Sequence, residues 1–142
     1  MNDGLCIFCK IVRKQAPASV IYEDESVMAL LDIRPLNLGH TLVIPKEHYE
    51  TIYEIPDELI AHIHKIVKRT ALAVKKATEA DGITVIQQNE RAAGQEIFHL
   101  HVHVVPRYKG QKLLRFEEIQ EANREKLNQA AEKIKHHLQS QP

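Results

Sequence analysis

An excess charge of either sign is missing from this chain: 142 residues carry 19 Lys and Arg against 19 Asp and Glu. A balanced surface sets up no field to draw the protein onto nucleic acid or a membrane. Long apolar runs are missing too, and none approaches the roughly 18 residues that a membrane span needs. The start, residues 1–4, is polar and acidic, unlike a secretory signal. A soluble cytoplasmic protein is expected, with neither nucleic acid nor membrane as partner. Cysteine is scarce: Cys6 and Cys9 form a single Cys-x-x-Cys. In a reducing compartment such a pair reads as a metal or redox site before a structural disulfide. Internal repeats, low-complexity tracts and linkers are absent from the sequence, so the chain reads as one domain long enough to bury a core.

Histidine, by contrast, is abundant, with nine in the chain. Three of them recur at every second residue: His99-Leu100-His101-Val102-His103-Val104-Val105. Side chains of a strand alternate between faces, which puts the three imidazoles on one side and Leu100, Val102 and Val104 on the other, buried side. Such a row can be a set of exposed histidines, a metal site, or a nucleophile at phosphorus with its supporting groups.

Strands are expected at residues 19–22, 27–31, 41–44, 83–88 and 98–105, the third ended by Pro45 and the fifth by Pro106. Two helices are expected. One starts at Pro56-Asp57-Glu58 and is stopped by Asp81-Gly82. The other covers residues 117–139, largely charged, with a thin apolar stripe that includes Ile119, Leu127 and Ile134. A mainly antiparallel sheet of about five strands with two helices on one face is an α+β domain. Residues 1–110 would form it, and residues 111–142 a helical extension packed on it.

Two further segments carry candidate chemistry. The loop Asn89 to Ile97, with Gly94 in it, leads into the histidine row, and its backbone N–H groups could cradle an anion. Cys6-Ile7-Phe8-Cys9 has no strand before it, so a thioredoxin-like redox motif is disfavoured. A structural zinc site would need about two more ligands, with His48 and one end of the histidine row available.

These motifs carry a resemblance. Residues 99–105 match the pattern His-φ-His-φ-His-φ-φ in full. With Cys6-Ile-Phe-Cys9-Lys-Ile11, Leu31-Asp32-Ile33, the run from Gly39-His40 to His48, and Gly94-Gln95, the chain resembles the histidine triad (HIT) family over roughly residues 4–108. It looks most like the small bacterial branch related to the Hint nucleotide hydrolases. The resemblance implies a HIT-like fold, a purine nucleotide substrate and a homodimer formed by sheet extension. It implies cleavage at the α-phosphorus of purine nucleoside phosphoramidates or dinucleoside polyphosphates through a nucleotidyl-histidine intermediate. His101 would be the nucleophile, His103 would bond the α-phosphate, and His40 would support them. Asn89, Gly94, Gln95, Glu96 and Ile97 would hold the phosphate. Asp32 would accept the ribose hydroxyls, and Ile7, Phe8, Ile11, Leu30 and Ile33 would line the base pocket. Cys6, Cys9, His48 and His99 would hold one structural zinc per chain. Many relatives have Ser where this chain has Glu96, whose carboxylate should turn away from a phosphate. The alternative reading is a zinc-stabilised nucleotide sensor or scaffold with incidental hydrolysis.

Overall fold

A computed structural model describes residues 5–112 and 118–142. Helix α1 (Ile7–Val12) precedes the hairpin of β1 (Val20–Glu23) and β2 (Val27–Leu31). Then come β3 (Thr41–Pro45), α2 (Asp57–Thr78), β4 (Gly82–Gln87), a 3-10 turn (Arg91–Ala93), β5 (Val102–Arg107) and α3 (Arg124–Gln139). The strands form one sheet in the order β1-β2-β3-β5-β4, antiparallel throughout. Asp24 closes the first hairpin, its Oδ1 accepting from the N–H of Ser26 and of Val27. This is the side-chain mimicry that makes Asp a turn residue.

Both faces of the sheet are covered at strands β2 and β3. Val27, Ala29, Leu31, Val43, Val102 and Val104 pack against the apolar stripes of α2 and α3. Leu100, Val102 and Val104 are fully buried, on the side the alternation predicts. Met28, Leu30, Leu42 and Ile44 face the other way, under Phe8 and Ile11 of α1. The two expected helices do share a face, but α1 is a third helix on the opposite one. It is short, and it begins with Cys6 as its N-cap rather than with Ser, Thr, Asp or Asn. Among the described residues, no helix is long and apolar enough to cross a membrane.

Several boundaries differ from expectation. Helix α2 stops at Thr78, before Asp81-Gly82, because Glu79 turns left-handed at φ +55°; Gly82 instead opens β4. Helix α3 begins at Arg124, where the Asn123 side chain accepts from the Lys126 N–H. Residues 118–123 are not α-helical, and position 117 lies outside the described residues. Strand β5 begins at Val102 rather than at Phe98, and it runs through Pro106 to Arg107. Pro106 fits inside the strand because its carbonyl, accepting from Asn37 Nδ2 at 2.8 Å, faces the side where β3 has already ended. A nitrogen on that side has no ladder bond to donate.

Candidate active site and metal centre

His99 and His101 sit ahead of the β5 ladder, so other contacts set their rings. His99 donates from Nε2 to the Pro45 carbonyl at 2.8 Å. That carbonyl is exposed to it because β5 pairs with β3 only from Val102 onward. With its proton on Nε2, His99 presents the Nδ1 lone pair to Cys6 Sγ at 3.3 Å and Cys9 Sγ at 3.6 Å. His48 Nδ1 lies 3.1 Å from Cys9 Sγ. The four ligand atoms of Cys6, Cys9, His48 and His99 all lie within 4.8 Å of one another. Two thiols and two imidazole nitrogens this close together are the donor chemistry that zinc takes, and His99 already carries the carbonyl partner that orients a zinc-bound histidine. Burial lowers the His99 pKa to about 4, which keeps the ring neutral.

The other two triad histidines face a cleft of about 740 Å³ on the α1 side of the sheet. Its floor is one cross-strand row, in which Leu30 pairs with Leu42, Leu42 with His103, and His103 with Ile86. His101 donates from Nδ1 to the His99 carbonyl at 2.7 Å, which leaves its Nε2 unprotonated. A backbone chain sets His103 as well. The Leu36 N–H donates to His40 Nδ1 at 3.0 Å, so the His40 proton is on Nε2 and points at His103 Nδ1, 2.9 Å away. His103 therefore keeps its proton on Nε2. The cleft receives a lone pair from one ring and a donor from the next, with ring centroids 4.8 Å apart.

Burial lowers the pKa of all three rings: to about 3 for His40, where His103 and His101 add to the effect, to about 4 for His103, and downward for His101. Near pH 7 all are neutral. Asp32 lies at the end of the row, Oδ2 3.6 Å from His40 Nε2, its pKa raised by burial to about 6. Asp32, His40 and His103 also lie close enough to hold a cation. The lone pair of His40 Nδ1 is taken by Leu36 N–H, however, and that of His103 by His40, so the group is a hydrogen-bond relay.

Ile7, Phe8, Ile11, Leu30, Asp32, Ile33, Gly94, Glu96, Ile97, His40, His101 and His103 all border the cleft. Asn89 and Gln95 do not. Asn89 Oδ1 accepts from the Ile52 N–H at 2.7 Å and from Gln87 Nε2 at 2.9 Å. Gln95 is buried, accepting from the Glu90 N–H and donating to the Glu50 carbonyl. Both brace the loop from behind. The amides of Gly94 and Gln95 also turn inward, to the carbonyls of Arg91 and Glu90. Gly94 makes that turn at φ +98°, where a side chain would be strained. Glu96 is exposed and borders the cleft. Sequence reasoning missed Arg34, Ile86, Gln88, Ile119 and Arg124 as cleft residues. Arg34, two positions from Asp32, and Gln88, next to Asn89, had a neighbouring motif to signal them.

Both the sequence and the fold of this chain match known proteins. The family model described as HIT domain covers residues 13–110, and the chain belongs to the HIT family. An uncharacterized HIT-like protein of Methanocaldococcus jannaschii is 48% identical over 81% of this chain and 89% of its own. An adenylylsulfatase of Arabidopsis thaliana is 43% identical over 75% of this chain and 53% of its own. An adenosine 5'-monophosphoramidase of Saccharomyces cerevisiae is 40% identical over 74% and 64%. Among solved structures, a Hit-like protein of Bartonella henselae involved in cell-cycle regulation superposes with TM-score 0.87 at 41% identity, covering 95% of this chain and 98% of that one. A Zn-bound histidine triad family protein of Mycobacterium smegmatis gives 0.85 at 38% identity, covering 96% and 95%.

Proposed function

We propose that this protein hydrolyses purine nucleotides at the α-phosphorus, acting on nucleoside phosphoramidates or dinucleoside polyphosphates through a nucleotide covalently held on His101. The observation that carries this reading is the pair of proton positions in the cleft. His101 Nε2 holds a lone pair because Nδ1 donates to the His99 carbonyl, and His103 Nε2 holds a proton because Nδ1 accepts from His40.

His101 Nε2 attacks the α-phosphorus, the bond to the amine or phosphate leaving group breaks, and a P–N bond to the imidazole forms. His103 donates to a non-bridging oxygen as charge develops there. Water then attacks the same phosphorus, His101 leaves as the neutral ring, and the nucleoside monophosphate is released; the proton the water gives up to solvent replaces the one an amine leaving group takes from it. The Glu96 and Ile97 backbone supplies the remaining phosphate contacts, since the Gly94 and Gln95 amides are engaged within the loop. Asp32 takes the ribose hydroxyls, and Phe8, Ile11, Leu30 and Ile33 enclose the base. A relative named as an adenosine 5'-monophosphoramidase and one named as an adenylylsulfatase support the substrate class.

Cys6, Cys9, His48 and His99 would hold one zinc, a closed set of four that supplies rigidity and leaves no position for substrate. Two copies would pair along β4, an edge strand whose Val85 and Ile86 are exposed.

His101→Ala tests the reading. Turnover of adenosine and guanosine phosphoramidates should fall by at least about a thousandfold while the nucleoside monophosphates still bind. Acid-quenched wild-type enzyme should carry one nucleotidyl group on His101. Full activity in the variant, or loss of binding with it, removes His101 from the nucleophile role.

A further inference from the structure

We propose that Arg124, carried in by the chain beyond the family-matched span, reads the base and selects 6-oxopurines (guanine, hypoxanthine) over adenine. This rests on the nucleotide reading above. The family match ends at residue 110, yet Ile119 and Arg124 border the same cleft as His101 and Asp32. The segment before α3 is pinned across the end of the cleft at three points. The Ala122 N–H donates to the Ile33 carbonyl at 2.9 Å. Arg34 Nη2 donates to the Ile119 carbonyl at 3.1 Å, and Arg124 Nη1 donates to Ser19 Oγ at 2.9 Å. Ile119 is only 8% exposed, so this strap is a packed wall of the cleft.

The register of the sheet sets the distance to the chemistry. His103, Leu42, Leu30 and Val20 form one cross-strand row through β5, β3, β2 and β1. Three strand spacings of about 4.8 Å put Val20 roughly 14 Å from His103. Arg124 is anchored on Ser19, the residue before Val20; the Ser19 hydroxyl also donates to Asn128 of α3 at 2.7 Å, and from this edge of the sheet Arg124 borders the cleft. A nucleoside with its phosphate at His101 and its ribose at Asp32 extends along this row toward β1, so the far edge of its base faces Arg124.

The chemistry of that edge follows. A guanidinium offers donors only, five in a fixed fork, and Ser19 takes one of them. Guanine and hypoxanthine present two acceptors together, O6 and N7, which an arginine meets with two parallel bonds. Adenine presents an N6 amino donor in place of O6, so donor would meet donor.

The test is kcat/KM for guanosine, inosine and adenosine 5'-phosphoramidates with full-length wild type and Arg124→Gln. Wild type should favour guanosine and inosine alike over adenosine by about tenfold or more. Gln pairs with N6 and N7 of adenine. Arg124→Gln should therefore shift the guanosine-to-adenosine ratio toward adenosine by a similar factor, with the shift in KM. The ratio is taken within one preparation, so a loss of folded protein cancels from it. An unchanged ratio in the variant overturns the inference, and so does a wild-type preference for guanosine over inosine, which would place the 2-amino group at the reading edge. Calorimetry with GMP and AMP separates the two layers. If neither binds wild type, the nucleotide reading fails and takes this one with it. If both bind equally to wild type and to Arg124→Gln, only the base reading fails.

Discussion

His40 donates from Nε2 to Nδ1 of His103 across 2.9 Å, and the Leu36 N–H on the far side of the His40 ring fixes that direction. A backbone amide in the loop between β2 and β3 thus decides which nitrogen of His103 carries the proton in the cleft. Replacing His40 with Phe keeps an aromatic ring in the buried site and removes the relay. His103 is then no longer held in the tautomer that donates to phosphate. We expect kcat to fall about 10- to 100-fold with a smaller change in KM, because the lost contact strengthens as charge develops. A kcat within twofold of wild type would show that His103 holds its tautomer without His40.

Stability should fall as the medium becomes acidic. His40 and His103 stay neutral in the fold down to about pH 3 and pH 4, whereas the unfolded chain protonates them near 6.5. Their contribution is fully present above pH 6.5 and is lost as pH falls toward the folded values, because the unfolded chain then binds protons that the fold does not. Asp32 works the other way. Its folded pKa of about 6 lies above the ordinary 3.8, so its term favours the fold increasingly as pH falls from 6 to 4. Two large histidine shifts, with His101 adding in the same direction, outweigh one aspartate. Thermal midpoints measured from pH 7.5 to 4.5 should decline, and Asp32→Asn should steepen the decline. A flat profile in both proteins would show that these rings are not buried neutral.

How far the sequence reveals this molecule depends on the range of the interaction. The alternation at residues 99–105 correctly predicts that Leu100, Val102 and Val104 are buried, since that is a local consequence of strand geometry. The start of β5 was not legible, because it depends on where β3 offers a partner, and Pro45 instead gives its carbonyl to His99. Helix α1 has a readable apolar spacing in Phe8, Cys9 and Ile11, but its six residues carry no standard cap. Ile119 reads as part of a helical stripe and is in fact a cleft wall. What puts it there is a bond to Arg34, 85 positions away, which no local pattern records.

Phe8 joins the candidate metal centre to His101, the proposed nucleophile. Its ring stands edge-on to His99 at 5.6 Å between centroids and to His101 at 5.3 Å, and it lies on the helix that Cys6 caps. Zinc bound by Cys6, Cys9, His48 and His99 would therefore hold the base pocket and the reacting ring in one unit. The double variant Cys6→Ser/Cys9→Ser should lose one zinc per chain, lower the melting temperature by at least about 5 °C and reduce kcat/KM. Chelation that strips the metal and leaves both quantities unchanged would separate the metal from the cleft.

Gln95 distinguishes a brace from a phosphate ligand. Its amide is almost wholly buried, taking the Glu90 N–H at 2.6 Å and giving to the carbonyls of Glu50 at 2.7 Å and Ile97 at 3.2 Å. Gln95→Leu preserves the volume and leaves the Glu90 N–H and the Glu50 carbonyl without their partner. Full burial would make each such group cost about 1–3 kcal/mol, and these part-buried ones less, so urea unfolding should show a loss of stability. Activity should fall with it, as the Glu96 and Ile97 backbone moves away from the phosphate. Gln95→Glu keeps the acceptor for Glu90 but sets a carboxylate against the Glu50 carbonyl, and should be the less stable of the two. A side chain that touched phosphate directly would behave differently: Gln95→Leu would lose turnover while its unfolding midpoint stayed at the wild-type value.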